Sequence, residues 1–522
     1  MTKVFIIAAG LATGVLAADR VKVASGTLEG TVNIDSTVRI FRGVPFAAPP
    51  VGNLRWQPPQ PVQPWSGVRK ADEFGAHCVQ GKVFGDIESR GKKMSEDCLY
   101  LTVWAPAKPA AKRLPVYVWL YGGGFAAGSG DEPRYDGEGF AKRGIVVVNV
   151  NCRLGIFGFL AHPELTKESA HMASGNYGLL DQVAALEWVR KNIAAFGGDP
   201  HRVTIGGESA GSLSVSALMA SPLSRDLFQQ AVGESGAFFA YVGGRGSASL
   251  AESEKQGAAF AASIGATSLA ELRAKSSGDL LAAAMKTNNG FGFWPNVDGY
   301  FLPVEVQSVF AEGKQSKVPL LAGWNADEVR MGVTMAKEKP TAKSFPAHLR
   351  EQFKDNADGA LKVYPASTDA EAVRSAGDLA SDSFIVFGTW KWLEMQTKTG
   401  QPVYRFQFDR AVPVPAGMQA MAHGLKSFGA AHASELEYVF NVLPSKKADW
   451  QPEDQKVAET MNAYWANFIR TGDPNGPGLA RWPDFAKTHE VMHLDTKSKA
   501  LPEEHRDRYE FLDSIQAPAS TK

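Results

Sequence analysis

Cysteine is scarce in this sequence: Cys78, Cys98 and Cys152 are the only three in 522 residues. They form no C-x-x-C pair and no Cys/His group at zinc spacing, so the sequence offers no metal site. A dominant charge sign is lacking too. The 55 Lys and Arg balance the 55 Asp and Glu, which argues against nucleic acid as a partner. Long hydrophobic runs are absent beyond the N-terminus, so no later segment suits a bilayer span. No internal repeat and no low-complexity linker divides the chain. What remains is ordinary globular composition, 44% hydrophobic, with enough chain for a large core.

The N-terminus is the exception. Lys3 precedes an apolar stretch from Val4 to Leu16, and small residues follow. This reads as a secretory signal peptide over residues 1–17, leaving one domain over 18–522. The run is short for a membrane anchor and holds Gly10 and Gly14, so no stable anchor is expected after cleavage. A secreted or periplasmic location follows, and it permits a disulfide. Cys78 and Cys98 close a short polar loop and are expected to pair, a bridge worth roughly 3 kcal/mol in loop-closure entropy. Cys152 follows a largely apolar run and reads as a buried free thiol.

Strand and helix signals alternate. Val21 to Arg42 suits a small antiparallel sheet. Leu99 to Trp104, Leu114 to Leu120, Ile145 to Val150, Val318 to Ala322 and Val403 to Phe408 read as strands. Asp181 to Ala195 is an amphipathic helix, and Val457, Met461, Tyr464 and Phe468 mark another near the C-terminus. The stretch 330–400 is mainly helical and cap-like. The class is α/β, a mostly parallel sheet covered on both faces.

Phe196 to Ser212 reads FGGDPHRVTIGGESAGS and organises the rest. Val203 to Ile205 suits a buried parallel strand, and Ala210 to Ala220 can be a helix. Between them Gly207-Glu208-Ser209-Ala210-Gly211 is a G-x-S-x-G pentapeptide, in the strand–turn–helix context of a nucleophile elbow. A serine hydroxyl needs a base, an acid to orient that base, and donors for the oxyanion. Gly122-Gly123-Gly124 follows a strand directly. The amides of Gly123, Gly124 and Ala210 would make a three-donor hole. Ser235, in Gly233-Glu234-Ser235-Gly236-Ala237, fits the pentapeptide at all but its last position. No helix start follows it, so it reads as structural. For the base, His432 lies in a small-residue loop after a strand, with His423 as its competitor. For the acid, Asp327 and Glu328 both follow the 318–322 strand, and pattern alone leaves the choice open.

The sequence resembles the type-B carboxylesterase family, to which the para-nitrobenzyl esterases and cholinesterases belong. The resemblance spans nearly the whole mature chain: FRGVPFAAPPVGNLRW, SEDCLYLTVW, WLYGGGF, NYGLLDQVAALEWVRKNIAAFGGDP and VTIGGESAGS, then NADE, GAAHASELEYVF and YWANFIRTGDPN. It implies an α/β-hydrolase fold with helical cap-like insertions. Carried over by motif, Ser209 is the nucleophile, Glu328 the acid and His432 the base, with Gly123, Gly124 and Ala210 as the oxyanion donors. Cys78 and Cys98 match the family's N-terminal disulfide, while Glu208 and Glu435 match acids that line a buried water network. Phe291, in the segment 289–299, matches an aromatic that limits acyl length, while Asn289 and Gly290 replace bulkier residues of cholinesterases. Phe125 and Glu208 are further pocket candidates. The implied activity is hydrolysis of small carboxylic esters with no cofactor. The cysteine loop has no Trp to hold a quaternary ammonium, which disfavours choline esters. A non-catalytic binding relative and a serine peptidase are the other readings; the intact Ser209, Glu328 and His432 argue against the first.

Overall fold

The computed structural model describes residues 19–239, 248–420, 422 and 424–516. The signal-peptide segment and His423 lie outside them. One 13-stranded sheet runs through the described chain. Its strands, in chain order, are β1 (Asp19–Val23), β2 (Gly26–Val32), β3 (Val38–Pro45), β4 (Val68–Lys70), β5 (Tyr100–Pro106), β6 (Leu114–Leu120) and β7 (Val146–Val150), followed by β8 (Gly198–Glu208), β9 (Gln230–Glu234), β10 (Leu320–Asn325), β11 (Val403–Phe408), β12 (Glu490–Leu494) and β13 (Lys499–Pro502). Spatially the order is β1-β2-β3-β5-β7-β6-β8-β9-β10-β11-β12-β13, with β4 beside β2.

The run from β7 to β12 is parallel, while β1, β2, β3, β5 and β13 pair antiparallel at the two sides. Composition explains the division. β7, VVVNV, and β10, LLAGWN, are buried throughout, as central parallel strands covered on both faces must be. β1 alternates buried and exposed positions instead, and β2 buries only Leu28. Helices cover the sheet, among them α1 (Tyr177–Asn192), α2 (Ala210–Ala220), α3 (Asp369–Ser381), α4 (Phe387–Thr397), α5 (Pro452–Thr471) and α6 (Arg506–Ser514). α2 is buried along its whole length, which its Ala, Ser and Leu composition permits. α5 buries Val457, Met461, Tyr464 and Phe468, the face its spacing predicts.

Several boundaries move from expectation, three of them near the site. α1 begins at Tyr177, not Asp181. The elbow strand is eleven residues long, Gly198–Glu208: β6 pairs with it at Gly198 and from Val203 to Gly207, and β9 from Thr204 to Glu208. β10 runs on to Asn325, which delays the turn that carries the two candidate acids.

β6 is flanked by β7 on one side and β8 on the other, so the connections leave in opposite directions there. A crevice outside the carboxyl ends of such strands is where open α/β sheets bind ligands. β6 ends just before the glycine run, β8 just before Ser209, β9 just before Ser235, and β10 just before Asp327 and Glu328. The sheet thus gathers at one edge residues spread over more than two hundred positions. Cys78 and Cys98 are bonded in the structure, and Cys152 is buried and unpaired. Burial pushes the Cys152 thiol up to about 12, which makes it inert. Among the described residues, no helix is long and apolar enough to cross a membrane.

Candidate active site

Ser209 sits at φ 53°, ψ −120°, a backbone setting that L-residues rarely adopt. Two glycines make the turn possible. A Cβ on Gly211 would lie 2.0 Å from the Leu120 carbonyl oxygen, and one on Gly207 would lie 2.5 Å from the Gly211 backbone. The Ser209 amide donates to the Glu234 carbonyl at 2.8 Å, which ties the elbow to β9. Ala210 opens α2, so its amide belongs to the unsatisfied, electropositive end of that helix.

The glycine run faces the elbow. Gly123 (φ 107°) and Gly124 (φ 62°) occupy the left-handed region. The Gly123 carbonyl accepts from the amides of Ala126 and Ala127, both at 3.1 Å, which folds the segment into a tight turn. Among the described residues no protein acceptor takes the N–H of Gly123 or Gly124. Both glycines, with Ser209 and Ala210, line one cavity of about 610 Å³.

Of the two candidate acids, Glu328 is the one in contact with His432. Its Oε2 lies 2.5 Å from His432 Nδ1, while its Oε1 accepts from the Ser235 hydroxyl at 2.5 Å and from the Asn325 amide at 2.8 Å. Asp327 does not reach the imidazole. Its Oδ2 accepts the Ala430 amide at 3.0 Å. Glu328 therefore has three groups around it, His432, Ser235 and Asn325, and its orientation is fixed. Ser235 is fully buried and points at Glu328, so this second serine braces the acid.

His432 keeps 23% side-chain exposure and lines the same cavity as Ser209. Among the described residues no hydrogen bond joins its ring to the Ser209 hydroxyl; Nε2 instead faces Glu208 Oε1 at 3.2 Å. Catalytic hydrogen bonds are often long before substrate binds. Burial opposes the imidazolium, but the carboxylates of Glu208, Glu328 and Glu435 outweigh it and push the imidazole up to about 10. Glu208 is itself pushed up to about 8 by burial, and Glu435 to about 7 by burial and the nearby Glu328. Burial also raises Glu234, whose Oε1 accepts from the Trp465 indole at 2.8 Å. Burial thus favours the protonated form of Glu208. In that form the largest carboxylate influence on the imidazole is absent and His432 is freer to act as a base.

Aromatic and aliphatic side chains make most of the cavity wall. Phe291 lines it and packs edge-on against Phe84 at 5.7 Å between ring centroids. Phe384 stands edge-on to the His432 ring at 5.1 Å. Phe125 does not line the cavity, contrary to the pocket expectation. Its φ of 55° follows from the tight turn, and the ring packs among Phe159, Phe238 and Trp294, behind the wall. Among the lining residues that the sequence did not reveal are Phe84, Arg134 and Phe384. Phe84 lies in the cysteine loop. Arg134 is buried and pairs with Glu132 at 2.8 Å and Asp86 at 3.0 Å. Phe384 sits on a π-helical turn, Asp382–Val386, that joins α3 to α4; such turns are common at functional sites. Outside the cavity, Glu394, His489 and Glu503 have metal-ligand spacing, but the two carboxylates already pair with Arg506 and Arg405.

Residues 17–512 match the family model described as "Carboxylesterase family". A fumonisin B1 esterase of Sphingopyxis macrogoltabida is 39% identical over 483 residues, covering 90% of this chain and 85% of that protein. The para-nitrobenzyl esterase of Bacillus subtilis (strain 168) is 35% identical over 489 residues, covering 90% and 94%. A solved PNB esterase superimposes with a TM-score of 0.81 at 32% identity, over 95% of this chain and 99% of the other.

Proposed function

The chain belongs to the carboxylesterase family and is a carboxylesterase, and from that premise we propose that Ser209, His432 and Glu328 hydrolyse carboxylic esters through an acyl-enzyme. One observation carries this reading: Ser209, the Glu328-bound imidazole of His432 and the amides of Gly123, Gly124 and Ala210 all meet in one cavity. His432 Nε2 takes the Ser209 proton as the hydroxyl oxygen attacks the ester carbonyl carbon. The carbonyl oxygen becomes an oxyanion on the three amides, where fixed donors act without reorganisation. Collapse breaks the bond to the alcohol oxygen, which leaves with the proton from His432. Water then attacks the acyl-enzyme, again through His432, and releases the acid and the free serine. Glu328 holds the imidazole in the tautomer that leaves Nε2 as the acceptor.

The mature enzyme is a single domain from residue 18, exported after cleavage behind Ala17, and it acts on small esters. The N-terminal sequence and the Cys78–Cys98 bond support that location. Non-reducing peptide mapping of exported protein should give one bridged peptide pair and one free thiol, at Cys152. Three free thiols would contradict it.

Acyl size is set at Phe291. A Cβ on Gly124 would lie 2.7 Å from its ring, so this wall is closed right beside the oxyanion amides. A series of nitrophenyl esters from acetyl to octanoyl, with fumonisin B1 added because of the relative that carries its name, tests both the activity and the wall. Turnover of the shorter esters is expected. Phe291→Ala should raise the octanoyl-to-acetyl ratio of kcat/KM at least tenfold, since a methylene in an apolar pocket is worth ~1–3 kcal/mol. An unchanged profile would place Phe291 in the core, and no turnover of any ester would remove the reading itself.

A further inference from the structure

The loop that carries His432 is held from two directions. From inside, Glu328 takes the imidazole, the Glu328 carbonyl accepts the His432 amide at 2.9 Å, and Asn325 Nδ2 donates to the Ala431 carbonyl at 2.7 Å. From outside, Asp327 makes a reciprocal pair with Ala430. Its amide donates to the Ala430 carbonyl at 3.0 Å and its Oδ2 accepts the Ala430 amide at 3.0 Å. The preceding Gly429 has φ 81°, and a Cβ there would lie 2.3 Å from that same Oδ2. The loop backbone thus rests directly on the Asp327 carboxylate, two residues before the catalytic imidazole.

The carboxylate is itself held by a relay of alternating charge. Arg330 pairs with Asp327 at 3.2 Å and with Asp378 of α3 at 2.6 Å. Arg508 of α6 pairs with Asp378 at 2.8 Å and with Asp382 at 3.1 Å. Asp382 also accepts from the buried Tyr364 hydroxyl at 2.9 Å and opens the π-helical turn that presents Phe384 to the imidazole. The relay therefore joins the two bodies that face each other across His432, its own loop and the turn with Phe384. None of Asp327, Arg330, Asp378 and Arg508 lines the cavity.

We propose that Asp327 is a positioning residue for His432, acting through the Ala430 amide and held in place by Arg330. This rests on the reading of His432 as the general base. A hydrogen-bond acceptor is what the loop needs from position 327, so an amide oxygen suffices there and a methyl group does not. Asp327→Ala should lower kcat on a nitrophenyl ester at least tenfold with KM within twofold of the parent, whereas Asp327→Asn, which keeps the acceptor for Ala430 and gives up only the Arg330 pair, should lose no more than Arg330→Gln does. Arg330→Gln, which touches neither cavity nor loop, should lower kcat three- to tenfold, and Arg330→Lys should restore it. Active-site titration with a phosphonate corrects each rate for folded enzyme. Asp327→Ala with titration-corrected kcat within threefold of the parent overturns the proposal. So does a rise in KM that matches the loss, or Arg330→Gln without effect. Ser209→Ala in the same assay separates the two levels. If it is inactive while Asp327→Ala is normal, only this inference falls; if it is active too, the reading of the whole site falls.

Discussion

Ser209→Ala is expected to abolish ester hydrolysis, with kcat falling by about 10⁴- to 10⁶-fold and the fold unchanged. The chemistry sets the size of the effect. Without Oγ no acyl-enzyme can form, and only the oxyanion amides and binding remain, worth roughly 10³–10⁴ over the uncatalysed reaction in serine hydrolases. The structure sets the neutrality of the fold. Ser209 holds φ 53° through the hydrogen bond its N–H donates to the Glu234 carbonyl and through the glycines at 207 and 211, and alanine meets the same backbone strain without relieving or adding to it. Among the described residues its hydroxyl holds no hydrogen bond whose loss would unsettle a neighbour. Circular dichroism should therefore give an unchanged melting midpoint beside the lost turnover. A variant that retains more than a tenth of the parental kcat would move the nucleophile elsewhere. Ser235 is poorly placed to inherit the role, since it is fully buried and committed to Glu328.

The parts of this site that could be read from sequence are those that a backbone demands locally. An elbow with no room for a Cβ has to be written G-x-S-x-G, and a tight turn with two successive residues at positive φ favours glycine, so Gly207, Gly211 and Gly122 to Gly124 stand out. Glu328 and His432 are different. His432 and Glu328 are 104 residues apart, and no spacing rule links them. Which of Asp327 and Glu328 faces the ring depends on where β10 ends, at Asn325 rather than Ala322. Strand ends are the least legible boundaries in a sequence, and only family resemblance supplied the register. The cavity wall was less legible still. Phe84, Arg134 and Phe384 come from a loop, a short 3₁₀ turn and a π-helical turn, and none of these carries a pattern. Phe125, a pocket candidate, is directed by the tight turn into the aromatic cluster with Phe159 and Trp294 instead. The π-helical turn also shows why the cap-like region, read correctly as helical, gave no hint of its contribution to the site.

Glu328→Gln should cost about 10³- to 10⁴-fold in kcat while leaving KM and the fold nearly as they were, because the hydrogen-bond pattern forces a wrong tautomer on His432. Oε1 of Glu328 receives the Asn325 amide, which can only donate, and the Ser235 hydroxyl. A glutamine must place its oxygen there, since its NH₂ group would leave a buried backbone donor facing another donor. The NH₂ then occupies the Oε2 position, 2.5 Å from His432 Nδ1 in the parent. Nδ1 must become the acceptor, so the ring proton moves to Nε2. An Nε2–H cannot take the proton of Ser209, and the charge that would stabilise the imidazolium has gone as well. Asp327 offers no substitute, because its carboxylate is spent on Ala430 and Arg330. The tautomer itself is measurable: nitrogen-15 shifts of the His432 ring should exchange the Nδ1–H pattern of the parent for Nε2–H in the variant. A Glu328→Gln enzyme with kcat within tenfold of the parent, or one that keeps the Nδ1–H tautomer, would take the orienting role away from Glu328.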